Sequence, residues 1–435
     1  MSNIFISTSL IYLASEAAGC FDEEGKVDKA TCNNKVYGFL PASLVTNIAV
    51  ISGVLSAFFM PLIGAILDYT PYRHEVGVAS ALLMMAIQGV QIYTVSSTWF
   101  AMAILQAIAG FIYQIQVLAT YAYFPELASE VGERTMTNFS SKMTLLQFSS
   151  QESFLILISA LAIALKLNDV VTAQVSQAIN CVWILIAFGL GWFKYLPKVG
   201  TRHESMPEGT NNLFSAGFIQ LWRTANAINK HFGRSLRWYF AALIFAEAGV
   251  NAFTVVAVTF QTAQLQMSAS EIGIQFIVVL ACTLPGTKLA EFVTKLTDAK
   301  RSWIICLTFF GIVTGVAAVV LSGPSMKSIS FIFCVLWGIC LGWFYPTQNL
   351  LFSLLLPRGQ EAELSGIFVY CSQIIVWMPP MIFTAMYENG ISMQWGLASL
   401  VLFMYIAVGF LLCLAPWKDM LEEVNRPLPV DRTQT

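Results

Sequence analysis

Two glutamates fall in the middle of long apolar stretches of the sequence. Glu247 lies in FAEAGVN and Glu152 in QFSSQES. A carboxylate at the centre of a bilayer costs about 2.5 to 3.5 kcal/mol on insertion scales, so an acid at this depth is a functional hypothesis by default. Asn251 follows Glu247 by one helical turn on the same face, and Gln151 precedes Glu152. We expect the Glu247 cluster to hold a ligand's amine or a proton and Glu152 to face the same cavity. In the alternative, each acid is hydrogen-bonded between helices or stays protonated in a dry site.

Further polar or amphipathic side chains interrupt apolar helices nearer the C-terminus. They are Gln348 and Asn349 in FYPTQNLLF, and Gln373 and Trp377 in CSQIIVWMPP. We expect them to line the same cavity, although most single Gln or Trp residues in spans make interhelical hydrogen bonds or sit in aromatic belts. Pro379 and Pro380 remove backbone donors, which predicts a bend in that span.

The composition identifies the elements that must position these groups. Of 435 residues, 57% are hydrophobic and 11% are charged, whereas an ordinary soluble domain carries roughly 25% charged residues. A helix needs about 20 mostly apolar residues to cross the hydrocarbon. The sequence therefore predicts an all-α polytopic membrane protein with about twelve transmembrane helices. The predicted spans cover 2–19, 38–66, 77–97, 99–123, 143–165, 173–194, 238–260, 271–293, 302–322, 328–354, 365–386 and 394–415.

Lys and Arg orient these spans, because cytoplasmic loops carry an excess of both. Loops after the even-numbered spans are rich in them, which places these loops and both termini in the cytosol. A polar central segment, 197–237, separates an N-terminal half, 1–196, from a C-terminal half, 238–417, which a tail, 418–435, follows. Within the central segment, FIQLWRTANAINKHFGRSLRW suits an amphipathic helix at the membrane surface, and a solvated basic linker fits it equally well.

The loop after the second span, GAILDYTPYR, contains three residues suited to gating: Gly64, Asp68 and Arg73. Asp68 can accept hydrogen bonds from a helix N-terminus, and Arg73 can pair with acids of the other half. We therefore expect a latch on the cytosolic side, and a charge cluster that only sets topology is the alternative. The corresponding loop of the second half carries Lys295, Lys300 and Arg301. Because Lys295 aligns with Asp68, the two latches are not expected to be equivalent.

Weak internal similarity divides the chain into two six-span repeats. LIYLASEAAG in the first span resembles LIFAEAGVNAF in the seventh, and YFPELASE after the fourth resembles LPRGQEAELS after the tenth. Parallel repeats with a substrate site near midplane suggest the fold of the major facilitator superfamily. The Gly, acid and base of GAILDYTPYR also resemble the loop signature of that superfamily.

Other segments resemble one branch, the autophagy-related vacuolar amino-acid effluxers. They are TYAYFPELA at 120–128, the stretch from 285 to 301 ending in DAKR, and LPRGQEAELSGIFVY at 356–370, which contributes the gating-loop candidates Arg358, Glu361 and Glu363. The chain departs from this branch at Glu247 and Ala248, where an Asn-Asp pair is common, and at Lys295, where an acid is expected. Fold and reaction class therefore carry over better than the substrate.

The resemblance implies a secondary carrier that moves amino acids out of a vacuole or related endomembrane compartment by alternating access. The depth of Glu247 and Glu152 adds the hypothesis of proton coupling. A membrane sensor or receptor that keeps the fold without moving solute is the rival reading.

Enzyme signals are absent from the sequence. His74, His203 and His231 all fall in predicted loops, which disfavours a zinc or histidine-based site within the membrane, and no GxxxxGK phosphate loop indicates ATP binding. We expect no cofactor and no nucleic-acid partner; the expected partners are a small-molecule solute, protons and the lipid bilayer. Cys20 and Cys32 share an acidic non-cytosolic loop and can form a disulfide where that side is oxidising.

Overall fold

A computed structural model describes residues 2–21, 27, 34–123, 133–196, 212–230, 234–355 and 361–420. Within these ranges the chain forms α-helices and no β-strand. The helices are α1 (Ser2–Ala17), α2 (Leu44–Tyr69), α3 (Arg73–Gln91), α4 (Trp99–Tyr121), α5 (Glu133–Ala164), α6 (Asp169–Leu190), α7 (Leu213–Lys230), α8 (Arg234–Ala263), α9 (Ala269–Leu296), α10 (Ala299–Val320), α11 (Lys327–Leu355), α12 (Glu361–Cys371), α13 (Met378–Glu388) and α14 (Met393–Leu412).

Each predicted span corresponds to a helix, and the eleventh corresponds to the pair α12 and α13. Among the described residues, nine helical segments are long and apolar enough to cross a membrane. Neither α1, which has 16 residues, nor α3 is one of them, and the eleventh span is divided into two short helices. The all-α polytopic class is confirmed.

Close helix contact in the C-terminal half depends on glycines, as is common between membrane helices, where small residues let backbones approach. A Cβ added at Gly342 of α11 would lie 2.0 Å from the carbonyl oxygen of Thr283 in α9, and one at Gly286 would lie 2.3 Å from that of Ile339. No larger side chain fits there without separating the helices. These contacts fix α9 against α11 and so hold the C-terminal half together.

The two halves meet along two lines of helix contact. On one, α2 packs against α13 and α8; on the other, α5 packs against α9, with α1 touching both α8 and α9. We call the first line, where α2 and the neighbouring α4 face α8 and α13, the α2 seam. It contains most of the polar contacts described below.

The central segment contributes α7, which packs on α2 and also touches α8 and α12. A Cβ added at Gly217 would lie 2.1 Å from the carbonyl oxygen of Pro61, so the two helices are in backbone contact there. Phe214 and Phe218 lie against Phe58 of α2, with ring centroids 5.6 and 6.3 Å from it. An aromatic face of α7 is thus continuous with an exposed face of a membrane-spanning helix.

The eleventh span is interrupted as its prolines predict. α12 ends at Cys371, turns occupy 372–377, and α13 begins at Met378. Pro379 and Pro380 have no N–H to give to the carbonyls four residues earlier, so the α-helical ladder cannot continue through this segment. The break lies where the span faces α2.

Candidate functional site

Glu247 lies on α8 with only 4% of its surface exposed, and both of its carboxylate oxygens accept hydrogen bonds. Asn251 Nδ2 donates to Oε2 at 2.9 Å, and Gln348 Nε2 of α11 donates to Oε1 at 2.5 Å. Tyr345 OH donates to Asn251 Oδ1 at 3.4 Å. These four residues form the Glu247 cluster, which joins three of the residues predicted from the sequence.

Helical periodicity explains why these side chains meet. Glu247 and Asn251 are four residues apart on α8, and Tyr345 and Gln348 are three apart on α11, so each pair shares one helix face. Tyr239, two turns before Glu247, donates its OH to the backbone carbonyl of Gln348 at 3.2 Å. The two helices are therefore joined by polar contacts at two levels.

The Glu247 cluster has one negative charge and no positive one. Within the described part of the chain, no Lys, Arg or His lies within ion-pair distance of the Glu247 carboxylate. The Gln348 side chain is 1% exposed, and its Oε1 accepts from no described group. A buried charge without a counter-charge is costly, and so is a buried acceptor without a donor. Both deficits can be removed by a bound cation or, for the carboxylate, by a proton.

The cluster is close to the N-terminal half. Helix α8, which carries Glu247, packs against α1 and α2 of that half. On α4 of the same half, Gln114 donates through Nε2 to Oε1 of Gln373 at 3.1 Å. Gln373 therefore bridges the two halves from the interrupted part of the eleventh span.

Trp377 stabilises that interruption rather than facing Glu247. Its Nε1 donates to the carbonyl of Ile374 at 3.0 Å, an oxygen that the broken helix leaves without its usual donor. A Cβ added at Gly53 of α2 would lie 2.7 Å from the Trp377 Cβ. Ala57 lies one turn further along α2. Its carbonyl lacks the usual helical donor because residue 61 is a proline, and it accepts from Tyr370 OH at 3.4 Å.

The remaining predicted cavity residues lie outside the cluster. Asn349 follows Gln348 but is exposed, on the other side of α11. Glu152 and Gln151 are half-buried on α5, and Glu152 makes no hydrogen bond or ion pair with a described residue. Their predicted roles stay predictions.

The first gating loop is anchored by a buried arginine. Arg73 is 5% exposed; its Nε donates to the carbonyl of Leu67 at 3.3 Å and its Nη1 to that of Ala122 at 3.2 Å. Asp68 is partly buried and has a polar or ring contact of its own, and a Cβ added at Gly64 would meet no atom within 4 Å. Arg73 thus ties the end of α2 to the end of α4, within one half.

The second loop is organised differently. Lys295 Nζ lies 2.7 Å from Glu291 Oε1 at an exposed site, whereas Lys300 donates to the last carbonyls after α14, with 2.9 Å to that of Leu414. Arg301 donates its backbone N–H to Asp298 at 2.7 Å, which caps α10. Arg358 and the side chains of Glu361 and Glu363 lie outside the described residues.

A second carboxylate, partly buried and not singled out by the sequence, joins the halves on the side that the Lys and Arg distribution predicts to be extracytosolic. Glu388 Oε1, at the end of α13, accepts from the Leu40 backbone N–H at 2.6 Å and from Ser43 Oγ, while Oε2 lies 2.9 Å from Lys35 Nζ. Thr384, one turn earlier, hydrogen-bonds to Thr46 at 2.6 Å. We call these contacts the outer latch.

Burial raises the pKa of Glu388, but the hydrogen bonds from Ser43, Lys35 and the Leu40 N–H, together with the Lys35 charge, outweigh it, so its pKa lies below the usual range. On the second line of contact between the halves, the Ala269 N–H donates to Asp169 Oδ1 at 2.9 Å. The extracytosolic ends of the two halves are therefore held together at two places.

No cluster of three His, Cys, Asp or Glu residues able to hold a metal occurs in the described ranges. Cys20 is disulfide-bonded, while its predicted partner Cys32 lies outside the described residues. The sequence analysis does not predict Tyr345, Tyr239 or Gln114 as site residues. Only Tyr345 could have been found, because it lies three residues before Gln348 and so shares its helix face.

Solved structures similar to this chain are transporters. The fold matches a D-xylose-proton symporter with a TM-score of 0.58 and 14% identity over 96% of this chain and 98% of that one. It also matches a mutant form of the nucleoside transporter NupG, with a TM-score of 0.56 and 10% identity over 96% of this chain and 97% of that one. The human organic anion transporter MFSD10 matches with a TM-score of 0.52 and 11% identity over 94% of this chain and 97% of that one. At these identities the likeness shows the fold, that of the major facilitator superfamily.

A search of the curated proteins found no match. The family model described as "Vacuole effluxer Atg22 like" matches residues 5–423, nearly the whole chain. Fold and family both point to a transporter rather than an enzyme, and the resemblance found in the loops is confirmed. The chain belongs to the vacuole effluxer Atg22-like family.

Proposed function

We propose that the protein is a secondary active transporter that moves small solutes, amino acids in particular, across a vacuolar or other endomembrane by alternating access. One observation carries the proposal: Glu247 is a buried carboxylate that has amide partners but no described counter-charge, and its helix packs against the opposite half. Intramembrane acids of this kind mark solute or proton pathways. The family supports the direction of the proposal, vacuolar efflux.

The contacts between the halves supply the moving parts. Rocking of one half against the other has to break the outer latch around Glu388, the Asp169 contact with Ala269, and the Gln114–Gln373 bridge. The Glu247 cluster, by contrast, lies between α8 and α11 of a single half, so it can travel intact with its solute. This arrangement separates binding from gating.

Proton coupling follows from the missing counter-charge. A proton neutralises the Glu247 carboxylate when no cationic group is bound, and its neutral amide neighbours tolerate either state. The similarity to a D-xylose-proton symporter agrees with this mechanism. Glu152, half-buried and without a described polar partner, is the second candidate for a proton site.

Uptake of a panel of labelled amino acids into proteoliposomes tests the proposal. The full chain is expected to transport at least one amino acid, faster with a proton gradient, and Glu247→Gln is expected to lose this transport. Lys327→Ala, which alters the other end of α11 and breaks only the pair with Glu271, serves as the matched control. Absence of flux for every amino acid, with binding retained, would instead establish a sensor on the same fold.

A further inference from the structure

Gln348 has an acceptor that its surroundings do not use. Because an ionised carboxylate only accepts hydrogen bonds, Gln348 must turn its Nε2 toward Glu247, as it does at 2.5 Å. Its Oε1 then points to a place where no described group donates, although the side chain is 1% exposed. Other buried polar atoms of the described residues, such as Gln261 Oε1, also lack a partner, and this one is distinguished by its place beside the Glu247 carboxylate.

The missing donor must also carry charge. Helices α1, α2, α12, α13 and α14, all packed against α8, contain no Lys or Arg, and neither does α4 across the seam. Helices α7 and α9 also touch α8, but none of their described bases, Arg223, Lys288 and Lys295, makes an ion pair with Glu247. On α8 itself the nearest base is Arg237, ten residues before Glu247, which is about 15 Å along the helix axis. On α11 the sole base, Lys327, is farther away. The protein thus offers negative charge and acceptors at this site, and no positive charge.

We infer that the Glu247 cluster binds its solute through a primary ammonium group, and that the solute's carboxylate is not needed for binding. The inference rests on the proposed function and specifies which group of an amino acid the protein recognises, namely its ammonium.

An ammonium group has three N–H donors, and the cluster presents acceptors on three side chains. They are the Glu247 carboxylate, the unused Oε1 of Gln348, and Asn251 Oδ1, which accepts from Tyr345 at 3.4 Å and keeps a second lone pair. One ammonium would neutralise the carboxylate and supply the donor that Gln348 lacks. A solute carboxylate would find only neutral donors at the seam, such as the second N–H of the Gln373 amide.

Competition binding on the purified full chain tests this inference. The tracer is a labelled amino acid that binds the protein, and the competitors are its amide, which keeps the ammonium without the carboxylate, and its N-acetyl derivative, which keeps the carboxylate without the ammonium. At pH 7 an α-amino group is mostly protonated. We expect the amide to bind within about threefold of the amino acid and the N-acetyl derivative at least about 100-fold more weakly, because an uncompensated buried charge remains.

Two variants locate the effect. Gln348→Met removes the unused acceptor together with the Nε2 donor to Glu247 while keeping the length of the side chain. We expect it to weaken amino acid and amide alike by about tenfold, the equivalent of one hydrogen bond to a charged group. Lys327→Ala, at the other end of α11 and paired with Glu271, should leave both affinities unchanged. If Gln348→Met fails to fold, the ranking of amino acid, amide and N-acetyl derivative on the unmodified protein decides the inference without it.

The outcomes separate the inference from the proposed function. An N-acetyl derivative that competes as well as the amino acid, or an amide that does not compete, overturns the inference and leaves the transporter standing. If no amino acid binds the unmodified protein, the proposed function falls and the inference falls with it.

Discussion

Glu247 is a buried carboxylate and Glu388 a partly buried one, with 17% of its side chain exposed, and both lie near the contact between the two halves of this transporter. Their surroundings differ in one respect. Glu388 has a lysine, a hydroxyl and a backbone N–H as partners, whereas Glu247 has two neutral amides and no described cation. A carboxylate whose charge is matched by the protein holds structure together. A carboxylate without a counter-charge in the protein can bind a cationic ligand or a proton. The presence of the counter-charge therefore distinguishes a latch from a binding site.

The largest expected effect contrasts the two acids directly. Glu247→Gln should abolish amino-acid transport, at least about 100-fold in rate, while leaving thermal stability unchanged or raised, since it removes an unmatched buried charge. Glu388→Gln should instead lower the stability by about 1 kcal/mol, because the half-exposed Lys35 loses its partner. Paired measurements of transport and Tm check this. Loss of stability in Glu247→Gln would mean that both acids are structural.

A smaller effect is expected on the accessibility of the side closed by the outer latch. Thr46 is fully buried next to Thr384, so a Thr46→Cys reporter should react slowly with a membrane-impermeant maleimide. Adding Glu388→Gln should raise the rate about tenfold, equivalent to about 1.4 kcal/mol in the closed-to-open balance. Lys327→Ala, whose pair with Glu271 lies within one half, is the control. Equal rates in all three backgrounds would show that Glu388 does not hold the outer side shut.

The same reporter sharpens the comparison through pH. Because the pKa of Glu388 is lowered in the folded protein, the latch contributes fully above the ordinary glutamate pKa of about 4.3 and is lost as pH falls through the lower folded value. Maleimide reacts with the thiolate, whose fraction falls with pH, so each rate is divided by that of a free thiol in solution at the same pH. This ratio should stay constant from pH 7 to about 5 and rise only below about pH 4. A rise near pH 6 would assign pH sensing on that side to another group.

The smallest expected effect on the balance between conformations comes from the hydrogen bond near Pro61 of α2. Tyr370→Phe removes the hydrogen bond to the Ala57 carbonyl, which is long at 3.4 Å, and should change the balance between conformations by at most about 1 kcal/mol. Thiol labelling of the Thr46→Cys reporter measures the shift. A change as large as that of Glu388→Gln would make this contact, and not the outer latch, the main lock between the halves.

Periodicity and insertion cost predicted much of this architecture. The spans followed from apolar runs, the interruption of the eleventh from two prolines, and the pairing of Glu247 with Asn251 from a spacing of four. Gln348 was identified as polar in an apolar helix, but nothing in the sequence distinguished its face from that of Asn349, since only the rotation of α11 about its axis decides this.

The outer latch could not be predicted for a different reason. Glu388 lies at the end of a span, where acids are common, and its partners are 345 or more residues earlier in the chain. Only the packing of α2 against α13 brings them together. Likewise, the absence of a counter-charge at Glu247 is a property of several helices at once.

Equilibrium binding of one labelled amino acid to the unmodified protein, Glu247→Gln and Glu388→Gln tests the central claim most directly. The distinction between matched and unmatched acids predicts that Glu388→Gln binds within about threefold of the unmodified protein and that Glu247→Gln loses binding by about 100-fold or more. Retained binding in Glu247→Gln, or loss of binding in Glu388→Gln alone, would contradict it.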